Sequence, residues 1–288
     1  MNVCWKELLA LLPPAIRCEV MTREKDLREG LLEVRLALGR APRLVTGTGE
    51  VLLENLTVGP AELSFCVNHV SGFSAYAASG AAQGYLTGRG GHRVGLCGQA
   101  VLQHGEVTGL RELSSLCVRV ARDVRGIAGR LLPWADMGSV LLLGPPGSGK
   151  TTLLRDLIRA ISDERKECIA VVDERGEIFP MAAGAPEFYP GARTDILTGA
   201  PKAQGMEQVL RSMGPQWIAV DEITSAADCQ AMERCGYCGV RFLATAHGDQ
   251  VQDLTQRPVY RTLLETGIFQ CAAVLRPDRT YRIERLRT

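Results

Sequence analysis

The stretch Gly144-Pro145-Pro146-Gly147-Ser148-Gly149-Lys150-Thr151-Thr152 decides how the rest of the chain is read. From Gly144 to Thr151 it satisfies the pattern G-x-x-x-x-G-K-[ST] in full. Its flanks supply the context the pattern needs. SVLLL (139–143) is a short apolar run, and KTTLLRDLIRAIS (150–162) places Leu153, Leu154, Leu157, Ile158 and Ile161 on one face of a helix. Glycines let backbone N–H groups turn inward around phosphate oxygens, where a side chain would block the approach. The helix that begins near Lys150 points its positive end at the same anion. Lys150 is expected to reach the β and γ phosphates of ATP, and Thr151 to offer its hydroxyl to Mg2+.

Beyond this loop the pattern is strand, loop and helix, repeated. CIAVV (168–172), WIAV (217–220) and VRFLAT (240–245) are further short apolar runs. Alternation of this kind implies an α/β domain, here 139–288, built on a mostly parallel sheet covered on both faces. Two of the runs end in acid. IAVDEI (218–223) offers Asp221 for the metal shell and Glu222 as a base for the attacking water. VVDERGEI (171–178) offers Asp173, Glu174 and Glu177, and on pattern alone either run could be the metal strand. A third run, VRFLATAHG (240–248), ends at His247. Strands of a parallel sheet share one carboxyl edge, so Asp173, Glu174, Asp221, Glu222 and His247 should converge near the γ-phosphate.

The N-terminal part has another character. Residues 1–70 mix helical and extended patterns, with LLEVRLALGRAPRLV read as an extended run broken by Gly39 and Pro42. The small-residue segment through Ala82 is expected to be helical. YLT and HRVGLCGQAVL then flank a Gly-rich loop, QHGE makes a turn, and SSLCVRVAR alternates as a half-buried strand does. Residues 1–126 are therefore expected to form a smaller α+β domain with an antiparallel meander, and 127–138 a linker.

Composition excludes several classes. The chain has 288 residues, 46% apolar and 23% charged, with a net charge of +1, so no overall field draws it to nucleic acid or anionic lipid. No apolar run approaches the roughly 20 residues that span a bilayer, and LLALL near the start is shorter than a signal-peptide core. The chain is expected to be cytoplasmic, without direct membrane insertion. Ten cysteines are scattered along it, and the one tight pair, Cys235 and Cys238, lacks the second pair that a structural zinc site needs. The terminal RPDRTYRIERLRT reads as a solvated, Arg-rich edge strand.

The order GPPGSGKTT, VVDERGEI, VLRSMGPQWIAVDEI, GVRFLATAHG resembles the ATPases of type II and type IV secretion and of pilus assembly. GYLTGRGGHRVGLCGQAV, GARTDILTGAPKAQGM and the Gln-Arg-Pro at 256–258 bring it nearer to one branch, the stage III sporulation AA family. The resemblance implies a RecA-like P-loop ATPase domain preceded by the smaller domain. It puts Asp221 and Glu222 in the Walker B role and 173–177 in the acidic "Asp box", with His247 in the "His box". Asp173 stands where the secretion enzymes usually have glutamate, which leaves Asp173 and Glu174 as alternatives. The resemblance also implies a hexameric, Mg2+-dependent motor, located in the mother cell. It would power a channel between mother cell and forespore, attached through an integral membrane component. An arginine finger belongs to that picture, with Arg93, Arg119, Arg122 and Arg193 as candidates. A nucleic-acid-linked ATPase that binds single strands is the alternative, opposed by the near-zero charge and 5% aromatic content. A non-catalytic, nucleotide-stabilised scaffold is a third reading, opposed by the intact Lys150, Thr151, Asp221 and Glu222.

Overall fold

The structure, a computed structural model, describes residues 2–72, 84–182 and 184–286. The segment through Ala82, expected to be helical, lies almost wholly outside these residues. The chain divides into two compact units, Met1–Asp123 with Ala182–Phe188, and Val124–Met181 with Tyr189–Thr288.

In the first unit β1 (Asn2–Val3) precedes helices Trp5–Leu11, Pro14–Thr22 and Glu24–Gly30. Then come β2 (Leu31–Ala37), β3 (Arg43–Thr46), β4 (Gly49–Leu52), helix Pro60–Val70, β5 (Tyr85–Thr87), β6 (Arg93–Gln103), β7 (Glu106–Arg119) and β8 (Arg122–Asp123). Pro60 starts its helix where a missing N–H costs nothing, and Glu62 accepts from Gly59 N–H at 2.8 Å to complete the cap. Among the described residues the main sheet has the order β4-β3-β2-β7-β6-β5, every pair antiparallel, as the meander reading expects. Alternate residues Val34, Leu36, Val94, Leu96, Leu116 and Val118 turn inward against Leu8, Leu12, Ile16 and Leu63 of the helices. Gly98 permits the register shift between β6 and β7, because a Cβ there would stand 2.8 Å from the Arg111 carbonyl oxygen.

His92, wholly buried, locks the Gly-rich turn of this unit. Its Nδ1 accepts from Ala121 N–H at 3.1 Å, so Nε2 carries the hydrogen and donates to the Cys4 carbonyl at 2.9 Å. Burial pulls its pKa below 6.5, against the raising effects of the Cys4 carbonyl, Glu7 and Glu187. A depressed histidine pKa leaves stability untouched above 6.5 and erodes it as pH falls below 6.5, where only the unfolded chain takes the proton. The expected slope from this residue is up to about 1.4 kcal/mol per pH unit. Urea unfolding at pH 7.5 and 5.5 measures it, and His92→Gln should flatten the fall; an equal fall in the variant would clear His92 of the effect.

The second unit contains β9 (Ser139–Leu143), helix Lys150–Ala160, β10 (Ile169–Asp173) and β13 (Thr194–Thr198); between β10 and β13 come the short β11 (Met181–Ala182) and β12 (Ala185–Pro186), which from Ala182 to Phe188 belong to the first unit. Helix Lys202–Met213, β14 (Trp217–Val220), helix Ala226–Tyr237, β15 (Arg241–Ala246), helices Val251–Thr255 and Pro258–Glu265, β16 (Phe269–Leu275) and β17 (Tyr281–Arg285) follow. The sheet order among the described residues is β13-β10-β14-β15-β9-β16-β17. All neighbours are parallel except β17, which closes one edge antiparallel, where the Arg-rich terminus was expected. β9, β10 and β14 are buried along their whole length, as unbroken apolar runs in a covered parallel sheet must be.

One expectation changes here. The stretch 127–138 is a packed part of the second unit rather than a free linker. Ala128 and Leu131 are wholly buried, a 3-10 turn runs over Leu132–Met137, and the Asp156 carboxylate accepts from Gly126 N–H at 3.1 Å and Ala128 N–H at 2.8 Å. Helix Lys150–Ala160 buries its apolar face as its spacing predicts, but Arg155, Asp156 and Arg159 on the other side are buried as well. Each of the three has partners: Arg155 donates to the Ile178 carbonyl at 2.6 Å, and Arg159 pairs with Asp156 at 2.9 Å. A buried charge without partners would cost several kcal/mol.

Candidate functional site

The residues from Gly144 to Gly149 form the loop between β9 and helix Lys150–Ala160. Gly147 and Gly149 hold φ of 75° and 95°, and nothing lies within 4 Å of where a Cβ would stand on either. Side chains there would be strained and would fill the open cradle. Ser148 Oγ, inside the loop, is buried with no hydrogen-bond partner among the described residues. A buried hydroxyl without a partner is costly unless something outside the protein satisfies it. Pro146 is exposed at the loop tip, Pro145 turns its carbonyl toward Lys150, and Thr152 is partly buried in the first helical turn.

Lys150 Nζ donates to the Gly144 carbonyl at 2.8 Å, the Pro145 carbonyl at 2.9 Å and His247 Nδ1 at 3.2 Å. Burial pulls its pKa down, while Asp221 and Glu222 push it up. With Nδ1 accepting, His247 Nε2 carries the hydrogen toward Glu222 Oε1, 2.8 Å away. Arg257, from the Gln-Arg-Pro segment, donates to the His247 carbonyl at 3.0 Å and fixes the backbone there.

A second thread begins at Thr151, whose hydroxyl donates to Asp221 Oδ2 at 3.1 Å. Asp221 Oδ1 accepts from the Thr245 hydroxyl, and Thr245 Oγ1 in turn accepts Glu222 N–H at 2.8 Å. Glu222 sits at φ 43°, a left-handed conformation that costs a side-chain-bearing residue about 1 kcal/mol or more. Ile223 N–H on the Thr245 carbonyl, and Tyr260 OH on the Ile223 carbonyl, hold the turn in that shape. The strand order explains the meeting: β15 lies between β9 and β14, so its carboxyl end brings Thr245 and His247 between the loop and the acids.

The acidic residues after β10 separate by role. Asp173 is 2% exposed, and its carboxylate accepts from Glu177 N–H at 2.8 Å and from Ile178 and Phe179 N–H at 2.9 Å each. It anchors its own loop. Burial holds its carboxyl above the usual aspartate range, the backbone donors lowering it only in part. Glu174, half-exposed, pairs with Lys202 at 3.0 Å. Asp173, Glu174, Arg175, Glu177, Lys202, Asp221 and Glu222 line a cleft of about 20 Å³. Glu174 and Glu177 are thus brought beside Asp221 and Glu222.

The arginines are dispersed. Arg93, Arg119 and Arg122 belong to the first unit. There Arg93 lies over the Tyr85 ring at 3.5 Å, Arg119 is 3.7 Å from Glu33, and Arg122 donates to the Leu31 carbonyl at 2.7 Å. Arg193, exposed, precedes β13 beside Ile169, the first residue of β10, and so stands at the sheet edge opposite the loop. Within its own unit it is not placed beside the loop of residues 144–149. Cys235 is buried, its thiol pushed up to about 11 by burial, and Cys238 is exposed. Thr245 was not singled out in the sequence reading; its hydroxyl joins Asp221 to Glu222 from inside an apolar strand.

Comparison with known proteins adds four findings. The family model "Sporulation stage III, protein AA" matches residues 5–282. The chain is 39% identical over 246 residues to Stage III sporulation protein AA of Bacillus subtilis (strain 168), covering 82% of this chain and 80% of that one. Among solved structures it is similar to the pilus retraction motor PilT with bound ADP, TM-score 0.65 at 17% identity, covering 94% and 83% of the two chains. It is also similar to the ATPase DotB of Legionella pneumophila, TM-score 0.61 at 16% identity, covering 94% and 79%. At these identities the structural likeness shows the fold, an α/β RecA-like domain preceded by an antiparallel-sheet domain.

Proposed function

Because the chain belongs to the sporulation stage III protein AA family, we propose that it is a Mg2+-dependent ATPase motor. It works as a hexameric ring that powers a secretion-like channel complex between mother cell and forespore. An integral membrane component of that complex receives the force, and the motor acts from the mother-cell cytoplasm. The observation that carries the reading is the pair of polar threads, Lys150–His247–Glu222 and Thr151–Asp221–Thr245–Glu222, meeting at one sheet edge.

The residues fit nucleotide and metal. Open space at Gly147 and Gly149 and the orphaned Ser148 hydroxyl suit phosphate oxygens. Thr151 and Asp221 are the donors that would hold Mg2+, which when bound with ATP neutralises charge on the terminal phosphates. Lys150, withdrawn against the Gly144 and Pro145 carbonyls, is a compact cation for the same oxygens. Glu222 is the base that takes a proton from water, and His247 orients its carboxylate through the Nε2 bond.

Purified full-length protein tests the reading. It should release phosphate from Mg–ATP, and mass photometry with a non-hydrolysable analogue should show a six-subunit species. A nucleotide-indifferent monomer without turnover would sink the proposal. Thr245→Val, nearly isosteric, should lower kcat about ten- to a hundredfold by loosening Asp221 and Glu222, with nucleotide affinity little changed. Steady-state kinetics beside a binding titration checks it; a change confined to KM would refute the positioning role.

A further inference from the structure

Lys202 was singled out in the sequence only as part of GARTDILTGAPKAQGM, and the threads above leave it unused. It is the first residue of helix Lys202–Met213, and its side chain is 9% exposed. A helix start carries partial positive charge, so an ammonium there is poorly placed unless anions surround it. One of its three N–H groups meets Glu174 Oε2 at 3.0 Å, and the other two have no acceptor among the described residues. Its partner is itself 38% exposed, which makes a weak ion pair. The cleft they share also contains Asp221, the carboxylate bonded to Thr151, so it adjoins the phosphate loop.

A buried ammonium with free donors, beside a loop suited to phosphate, asks for a stronger anion than a half-solvated glutamate. We propose that Lys202 distinguishes nucleoside triphosphate from diphosphate, leaving Glu174 to bond the terminal phosphate when it is present. Glu174 is then a competitor that holds the ammonium in reserve. This inference rests on the nucleotide-binding reading and goes beyond it by assigning the discriminating residue.

Calorimetric titration of the full chain with Mg–ADP and with a Mg-bound, non-hydrolysable triphosphate analogue tests it without requiring turnover. Lys202→Met should weaken the triphosphate analogue about tenfold or more, as loss of a charge-assisted hydrogen bond does, and leave ADP within about twofold. Lys202→Arg should retain most of the preference. Glu174→Gln, by freeing the ammonium, should tighten the triphosphate analogue severalfold. Equal weakening of both nucleotides in Lys202→Met, or no weakening, overturns the inference. So does a looser analogue in Glu174→Gln, which also decides the matter if Lys202→Met fails to fold. A wild-type chain that binds neither nucleotide overturns the ATPase reading itself; one that binds both, with a ratio Lys202 does not influence, overturns this inference alone.

Discussion

In Glu222→Gln, phosphate release is expected to fall by about 10² to 10⁴, the usual contribution of a positioned general base, while Mg–ATP still binds. The geometry argues for this split. Glu222 makes no bond to the loop of residues 144–149; it reaches the site through His247, 2.8 Å away, and through its own N–H on Thr245. Glutamine keeps the shape and can still accept from Nε2, but it cannot take a proton from water. Lys150→Ala should act at the other stage. It removes the cation that the Gly144 and Pro145 carbonyls hold in place, and with it most nucleotide binding. Rapid phosphate-release assays beside equilibrium binding separate the two. Normal turnover in Glu222→Gln would end its candidacy as the base.

Asp173→Asn is expected to cost about 2–3 kcal/mol of stability, because one of the two oxygens that receive three buried N–H groups becomes a donor facing donors. The loss should appear as a lower thermal midpoint before any kinetic measurement. Glu174→Gln alters a partly solvated pair and should move stability by less than about 1 kcal/mol. If Asp173→Asn kept wild-type stability and lost only turnover, the anchoring role would fall and a catalytic one would take its place.

The loop at 144–152 was legible because the pattern it matches demands fixed residue types at fixed spacing. The convergence of Asp221, Glu222 and His247 was legible because a parallel sheet brings its strand ends to one edge. Adjacent acids were not separable in the same way. Asp173 and Glu174 differ in role because the chain folds back after β10 and presents three N–H groups to the first carboxylate, a return that no local pattern encodes. Thr245 reads in sequence as an ordinary strand residue, and only the neighbouring β14 turns it into a bridge. The spacing of the helix after the loop marks its apolar face but not the burial of Arg155, Asp156 and Arg159, and the 127–138 stretch reads as a linker. Both are held in part by partners more than twenty residues away in the chain, Ile178 for Arg155 and Asp156 for Ala128.

Glu222 at φ 43° has a consequence for how this protein can evolve. If Glu222 is the base proposed above, a glycine at that position would relax the backbone and discard the base in a single exchange, so the inactive form has the easier fold. On that reading, only selection for turnover opposes that drift. On the proposed reading, a descendant that no longer needed a motor should surrender this residue early, and the loop of residues 144–149 much later.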